Sequence, residues 1–265
     1  MSTDKSREKE GISGPGEDSA RAIIKSTSLL SVGTLSSRIL GFLRDIILAR
    51  MFGTGVRAEA FFVALRIPNL LRDFVGEGAT NSAVVPVFSE YLHTKGQESF
   101  WKFFNVILVL FLIVLSAITL AGMLLAPVIV RIIAPGFMAD PKTLALTVRL
   151  TQIMFPYLVF IGLTAYSMGI LFTFRSFLAP AFSPCLLNIA IIFSALISSK
   201  TMQEPVFGLA IGVLIGGILQ LAAHVYPLHR SGMRLKRPET LRHPGAAQIG
   251  KLLVPRMIGS GVYEL

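Results

Sequence analysis

The sequence predicts an all-α, polytopic membrane protein. Three observations carry this. Of 265 residues, 53% are hydrophobic and 15% are charged, with a mean hydropathy of +0.68. Soluble domains carry about 25% charged residues. Long stretches also run without a single charge, each ending at a basic residue. Finally, the one cysteine, Cys185, excludes an intrachain disulfide and any cysteine-based metal cluster, and its apolar neighbours mark it as a buried structural thiol.

Four spans follow directly from length, since a helix crosses a bilayer in roughly 20 apolar residues. Phe103 to Val130 lies between Lys102 and Arg131, and Leu150 to Phe174 between Arg149 and Arg175. Ser176 to Ser199 ends at Lys200, and Pro205 to His229 ends at Arg230. Residues 26–51 and 58–91 have helical length and apolar majorities, but charges interrupt both. Pro68, Gly76, Gly78 and Pro86 point to a bent second span that unwinds at "GEGATNS". Pro127, Pro156 and Pro184 are expected to kink their helices. Trp101, Tyr157, Tyr166 and Tyr226 are candidates for interfacial anchors.

Residues 1–25 are polar and of mixed charge, without the apolar segment of a signal peptide, and read as a disordered cytoplasmic tail. Residues 26–230 form the six-helix unit. Residues 231–265 comprise a basic loop, "SGMRLKRPETLRHPG", and a seventh helix that is expected to be truncated. The net charge of +10 has a positive-inside explanation. With the N-terminus in the cytoplasm, Lys95, Lys102, Arg175, Arg230 and the loop cations fall inside, against Arg50, Arg57, Arg131, Lys142 and Lys200 outside. Basic patches interleaved with aromatics are absent, so nucleic acid is not an expected partner.

The informative residues are the charges in the first two spans. Arg38, Arg44 and Asp45 interrupt "SSRILGFLRDIILARMFG", and Arg66, Arg72, Asp73 and Glu77 interrupt the second span, with Glu59 at its start. Each costs about 2.5–3.5 kcal/mol at a helix centre, and three on one helix roughly 8–10 kcal/mol. Such helices are stable only if the charges meet one another or line a hydrated cavity. Arg38 and Asp45 are seven apart and share a face, as do Ser37 and Arg44. Asp45 reaches Arg38 only in an extended geometry, so at least one arginine is expected to lack an acidic partner on its own helix. Arg50, Arg57 and Arg66 read as structural glue; Arg38, Arg44 and Arg72 read as functional. Guanidinium forks match phosphate oxygens, so a phosphate or diphosphate headgroup is the natural ligand.

Other chemistry is poorly supported. His93, His224, His229 and His243 lack metal-ligand spacing, no cofactor motif is present, and no Walker loop, nucleophile elbow or triad occurs, so an enzyme is not expected. Gly212, Gly216 and Gly217 read as a small-residue packing stripe.

The stretches "SRILGFLRDIILARMFG", "AEAFFVALRIPNLLRDFVGEGATNSAVVPVFSEY", "APGF" and "PAFSPCLLNI" resemble the MurJ (MviN) lipid II flippases of the MOP transporter superfamily, from about residue 26 to the end. The resemblance implies the N-terminal six-helix lobe of a fourteen-helix transporter plus the start of a seventh helix. It implies a bacterial inner-membrane protein that moves lipid II, an undecaprenyl-diphosphate-linked peptidoglycan precursor, to the outer leaflet by alternating access. Ser37, Arg38, Arg44 and Arg72 then fall at cavity positions. Glu59 stands where the family often has Asp, and "VGEGAT" departs from the commoner "AEGAF". A missing C-terminal half follows as an expected partner, and without it this chain is not expected to flip lipid. The alternatives are a MOP-type exporter of another lipid-linked glycan or a drug, and a structural membrane protein.

Overall fold

The computed structural model describes residues 15–53, 55–75 and 77–252, and for 15–23 and 71–83 it describes the backbone only. The described residues form helices without strands: α1 Pro15–Phe52, α2 Val56–Val75, α3 Glu77–Ile133, a 3₁₀ turn Pro135–Ala139, α4 Pro141–Met154, α5 Tyr157–Thr173, α6 Leu178–Thr201 and α7 Pro205–Arg230. Residues 244–252 are also helical.

These helices make six passes. Gly96 sits inside α3 at φ 75, ψ 173, a conformation open essentially to glycine alone. A straight helix would hold residues 88 and 103 about 22 Å apart. Instead the Phe88 and Phe103 rings stack with centroids 4.5 Å apart, and Tyr91 stacks on Phe103 at 4.4 Å. The chain therefore reverses at Gly96, and the two arms of α3 pack against each other. The first arm continues the α2 pass, and the second is the next span. Likewise α4 and α5 form one pass, Pro141–Thr173, broken at Pro156, which has no N–H to donate.

Among the described residues, four segments are long and apolar enough to cross a membrane: Val84–Ile133, Pro141–Thr173, Leu178–Thr201 and Pro205–Arg230. Helices α1 and α2 are not among them, which matches their charge content.

Several sequence expectations are corrected. Helix α1 begins at Pro15, so residues 15–25 are helical rather than a disordered tail; residues 1–14 lie outside the described residues. Residues 77–82 of "GEGATNS" are helical, whereas Gly76, its first residue, falls between α2 and α3 and lies outside the described residues. Arg149 lies inside α4 rather than bounding a span, since the fold carries the helix back to Pro141 behind the cap of Asp140. Asp140 accepts from the Lys142 backbone N–H at 3.0 Å and from the Thr143 hydroxyl, and these bonds hold its carboxyl below the usual carboxylate range. Tyr157, Tyr166 and Trp101 are core residues rather than interfacial anchors, and of that group only Tyr226 is exposed. The Tyr166 hydroxyl satisfies its burial by donating to the Phe104 carbonyl at 3.0 Å.

Two apolar clusters hold the bundle. One joins Leu48, Phe61 and Leu65 to Leu115, Tyr157, Leu187 and Val213. The other joins Phe88, Tyr91, Phe100 and Phe104 to Tyr166, Leu228 and Ile249. Small residues let helices approach closely. A Cβ on Gly33 would lie 2.3 Å from the Ala181 carbonyl oxygen, so α1 and α6 touch backbone to backbone. Gly212 packs on Ser194 and Ala190, Gly216 on Leu187, and Gly217 on Tyr157, which makes that stripe an α6–α7 and α5–α7 seam.

Candidate functional site

The α1–α6 contact determines where the α1 charges go. Gly33 and Gly41 face α6, and Ser37 and Arg44 share that stripe by the seven-residue spacing. The residue they meet is Asn188, in the middle of α6 and buried. Its Nδ2 donates to the Ser37 carbonyl at 3.1 Å and lies 3.4 Å from the Ser37 hydroxyl. Its Oδ1 accepts from Nη1 of Arg44 at 2.8 Å. Both ends of one amide thus tie the two predicted site residues together.

Arg44 is partnered on its other side by Asp45, which accepts from Nε at 3.0 Å and Nη2 at 2.9 Å. The sequence reading set Asp45 on the face of Arg38. The structure places it on its chain neighbour, because a long guanidinium arm curls back across adjacent positions more readily than a carboxylate spans two turns. The Arg44 side chain keeps 21% of its accessible surface.

Arg44 and Asp45 form one wall of a cavity of about 470 Å³ between α1 and α2. Phe62, Leu65, Arg66, Asn69 and Leu70 form the other wall. Two of these carry polarity. Arg66 is exposed, lines the cavity and makes no ion pair among the described residues. Asn69 Oδ1 is buried without a hydrogen-bond partner among the described residues. Two guanidinium groups and one carboxylate leave the cavity with an excess of positive charge. Guanidinium groups in such a place can donate to the oxygens of an anion.

The other predicted residues are not gathered there. Arg38 is exposed on α1 beside Leu35, Ile39 and Phe42, with no partner among the described residues, as expected for one arginine of this helix. Glu59 is exposed in the first turn of α2, two turns from Arg66 on the same stripe, and outside the cavity wall. The side chain of Arg72 lies outside the described residues; its backbone is in α2, one turn beyond Asn69. Arg57 is glue as read, donating to Glu204 at 2.9 Å and joining the start of α2 to the start of α7. Asn188 and Asn69 were missed. The available signal was an asparagine in an otherwise apolar run, which in a lipid-facing helix demands a partner.

Six passes with charged α1 and α2 against an apolar remainder define one helical lobe of a MOP-type transporter. A solved MOP superfamily transporter from Pyrococcus furiosus aligns with a TM-score of 0.67 at 14% identity, over 90% of this chain and 52% of that one, a likeness of fold alone. The sequence pattern of the lipid II flippase MurJ family matches residues 48–265, and the chain belongs to that family. It is 38% identical to the lipid II flippase MurJ of Burkholderia cenocepacia over 247 residues, covering 90% of this chain and 47% of the relative. It is 35% identical to a probable lipid II flippase MurJ of Buchnera aphidicola over 243 residues, 92% of this chain and 48% of the relative. A MurJ structure in an inward closed conformation aligns with a TM-score of 0.70 at 32% identity, over 88% of this chain and 47% of that one. The chain thus spans about half the length of these relatives.

Proposed function

We propose that this chain is the N-terminal lobe of a lipid II flippase of the bacterial inner membrane, with its N-terminus in the cytoplasm. Its cavity residues grip the diphosphate of the cargo while a second lobe, from the remaining half of the protein, completes the transport path. Arg44 is the central cation. Asn188 and Asp45 fix its rotamer, so little side-chain freedom is lost when an anion arrives. Ser37 braces Asn188, and Arg66 adds a second cation across the cavity. Arg38 and Arg72 supply further guanidinium groups along the path, and Glu59 supplies the acid at its outer end. The supporting observation is the Ser37–Asn188–Arg44–Asp45 chain on the wall of a cationic cavity in a member of this family.

The test joins this chain to the C-terminal half of the Burkholderia cenocepacia relative and expresses it in cells depleted of their own flippase. The fusion is expected to restore growth, and Arg44→Ala to abolish the rescue at equal membrane abundance. Rescue by Arg44→Ala as complete as by the parent would overturn the assignment of Arg44. A headgroup translocation assay separates cargoes: competition by a cationic drug, and none by a polyprenyl diphosphate, would favour a drug exporter instead.

A further inference from the structure

A larger cavity lies at the other end of the bundle from Arg57 and Glu204, and the transport reading makes no use of it. After α7, residues 231–243 fold back against the start of the second arm of α3. Gln97 Nε2 donates to the Ser231 carbonyl at 3.1 Å. Asn105, buried, donates from Nδ2 to the Arg234 carbonyl at 2.9 Å and accepts the Lys236 backbone N–H on Oδ1 at 3.1 Å. A strap pinned by two side-chain amides is a built feature. Beneath it is a cavity of about 790 Å³, whose wall includes Trp101, Lys102, Arg234, Lys236, Arg237 and His243.

Its charges are predominantly positive. Glu98 also lines it, but Glu98 is paired with Lys102 at 2.9 Å. Glu239 is the remaining acid on the wall. Arg234, Lys236 and Arg237 are exposed and have no hydrogen-bond or ion-pair partner for their side chains among the described residues. His243 also lines the cavity, and its imidazole is held below its usual range first by burial and then by Lys95 nearby.

An independent observation points to a ligand. Trp101 is 6% exposed, and its indole Nε1–H is buried without an acceptor among the described residues. Indole nitrogen is a donor only, so the partner it calls for is an acceptor atom. The N–H end of the ring is the end next to Gly232, which also lines the cavity: a Cβ there would lie 3.5 Å from Nε1. Gly232 has φ +93, a conformation that favours glycine, and a Cβ there would also press on Gln97 Nε2 at 3.0 Å, so glycine lets the strap lie close over the indole.

We propose that this cavity binds a phosphate-bearing anion, with Arg234, Lys236 and Arg237 around its oxygens and the Trp101 indole N–H as a buried donor. The volume exceeds what one phosphate fills. The site lies at the end of the Phe103–Val130 span, where lipid headgroups lie, so an anionic phospholipid headgroup fits it. A soluble phosphate shares the same recognition chemistry.

Trp101 is the single tryptophan of the chain and so reports on its own site. The full chain in detergent is titrated with a short-chain phosphatidylglycerol, with the matching phosphatidylcholine and with inorganic phosphate, following tryptophan emission. A saturable change is expected with phosphatidylglycerol or with phosphate, and none with phosphatidylcholine. A response to phosphate alone assigns the site to a soluble anion, and a response to phosphatidylglycerol alone to a lipid. Arg234→Gln with Arg237→Gln is expected to weaken the response about tenfold or more, the scale of one lost charge-assisted hydrogen bond. Lys236→Gln alone tests the same point should the double variant lose helicity by circular dichroism. Silence to both anions, an equal response to phosphatidylcholine, or unchanged affinity in the charge variants overturns the proposal.

Discussion

At the residue scale, Asn188 decides the character of the site. It is one amide on α6, yet it determines where Arg44 points and how Ser37 is used. Asn188→Ala leaves a guanidinium N–H and the Ser37 carbonyl without their partner, which costs about 1–3 kcal/mol. Chemical denaturation in detergent micelles should show that loss. The sharper readout is a double-mutant cycle with Arg44→Ala, expected to give a coupling of about 0.5–3 kcal/mol. Strict additivity would mean the contact at 2.8 Å does not hold the arginine. Of the site, the sequence revealed which residues were out of place in lipid, Arg44 and Ser37 among them. It did not reveal their partner, which lies 144 and 151 positions further along the chain, beyond any helical periodicity. The Asp45 pairing was misread for a related reason. Seven-residue spacing describes where Cβ atoms point, whereas a four-bond arginine arm can turn back to the next residue.

At the element scale, the four apolar spans were legible because each supplies a minimum apolar length that ends at a basic residue, and the first two passes from helical length and an apolar majority that charges interrupt. Their internal breaks were less so. Pro156 announces its own effect by lacking an N–H. Gly96 does not, because glycine is common in membrane helices, and only its φ of 75 marks it as a reversal. This makes a clean prediction, because no atom lies within 4 Å of where a Gly96 Cβ would stand. The penalty for a side chain there is purely conformational, so Gly96→Ala and Gly96→Val should each cost about 1–3 kcal/mol. The contrast is Gly33, where the same Cβ meets the Ala181 backbone and the penalty is steric, growing with side-chain size. Thermal midpoints of the four variants, alanine and valine at each site, should therefore separate: nearly equal shifts at 96, and a steep increase from alanine to valine at 33. A steep size dependence at 96 would show that the two arms of α3 pack more tightly around the reversal than they do here.

At the scale of the whole molecule, the two ends of the bundle differ in charge. The chain reversal at Gly96, the strap over Trp101 and the end of α7 lie together, since Gln97 bonds Ser231. That end carries Lys95, Lys102, Arg230, Arg234, Lys236 and Arg237. The opposite end is fixed by the Arg57–Glu204 pair and carries Arg50, Arg131, Lys142 and Lys200, fewer cations than the Gly96 end with Arg175 and Arg242 added to it. A surplus of lysine and arginine in short connections is retained in the cytoplasm, so the Gly96 end should face inward. The orientation can be read with cysteines. Cys185 is the single native cysteine and is buried, 3.9 Å from the Gly33 carbonyl, so Cys185→Ser gives a background free of reactive thiol. In that background, Lys200→Cys and Arg230→Cys place one exposed thiol at each end of the bundle. An impermeant maleimide applied to intact spheroplasts should label the first, and should label the second only after the membrane is opened. The reverse pattern would put the basic strap outside, which would remove the charge argument for orientation and move the Trp101 cavity to the outer leaflet. Labelling of both thiols in intact spheroplasts would contradict an odd number of membrane crossings between them, and with it the assignment of α7 as a single spanning helix.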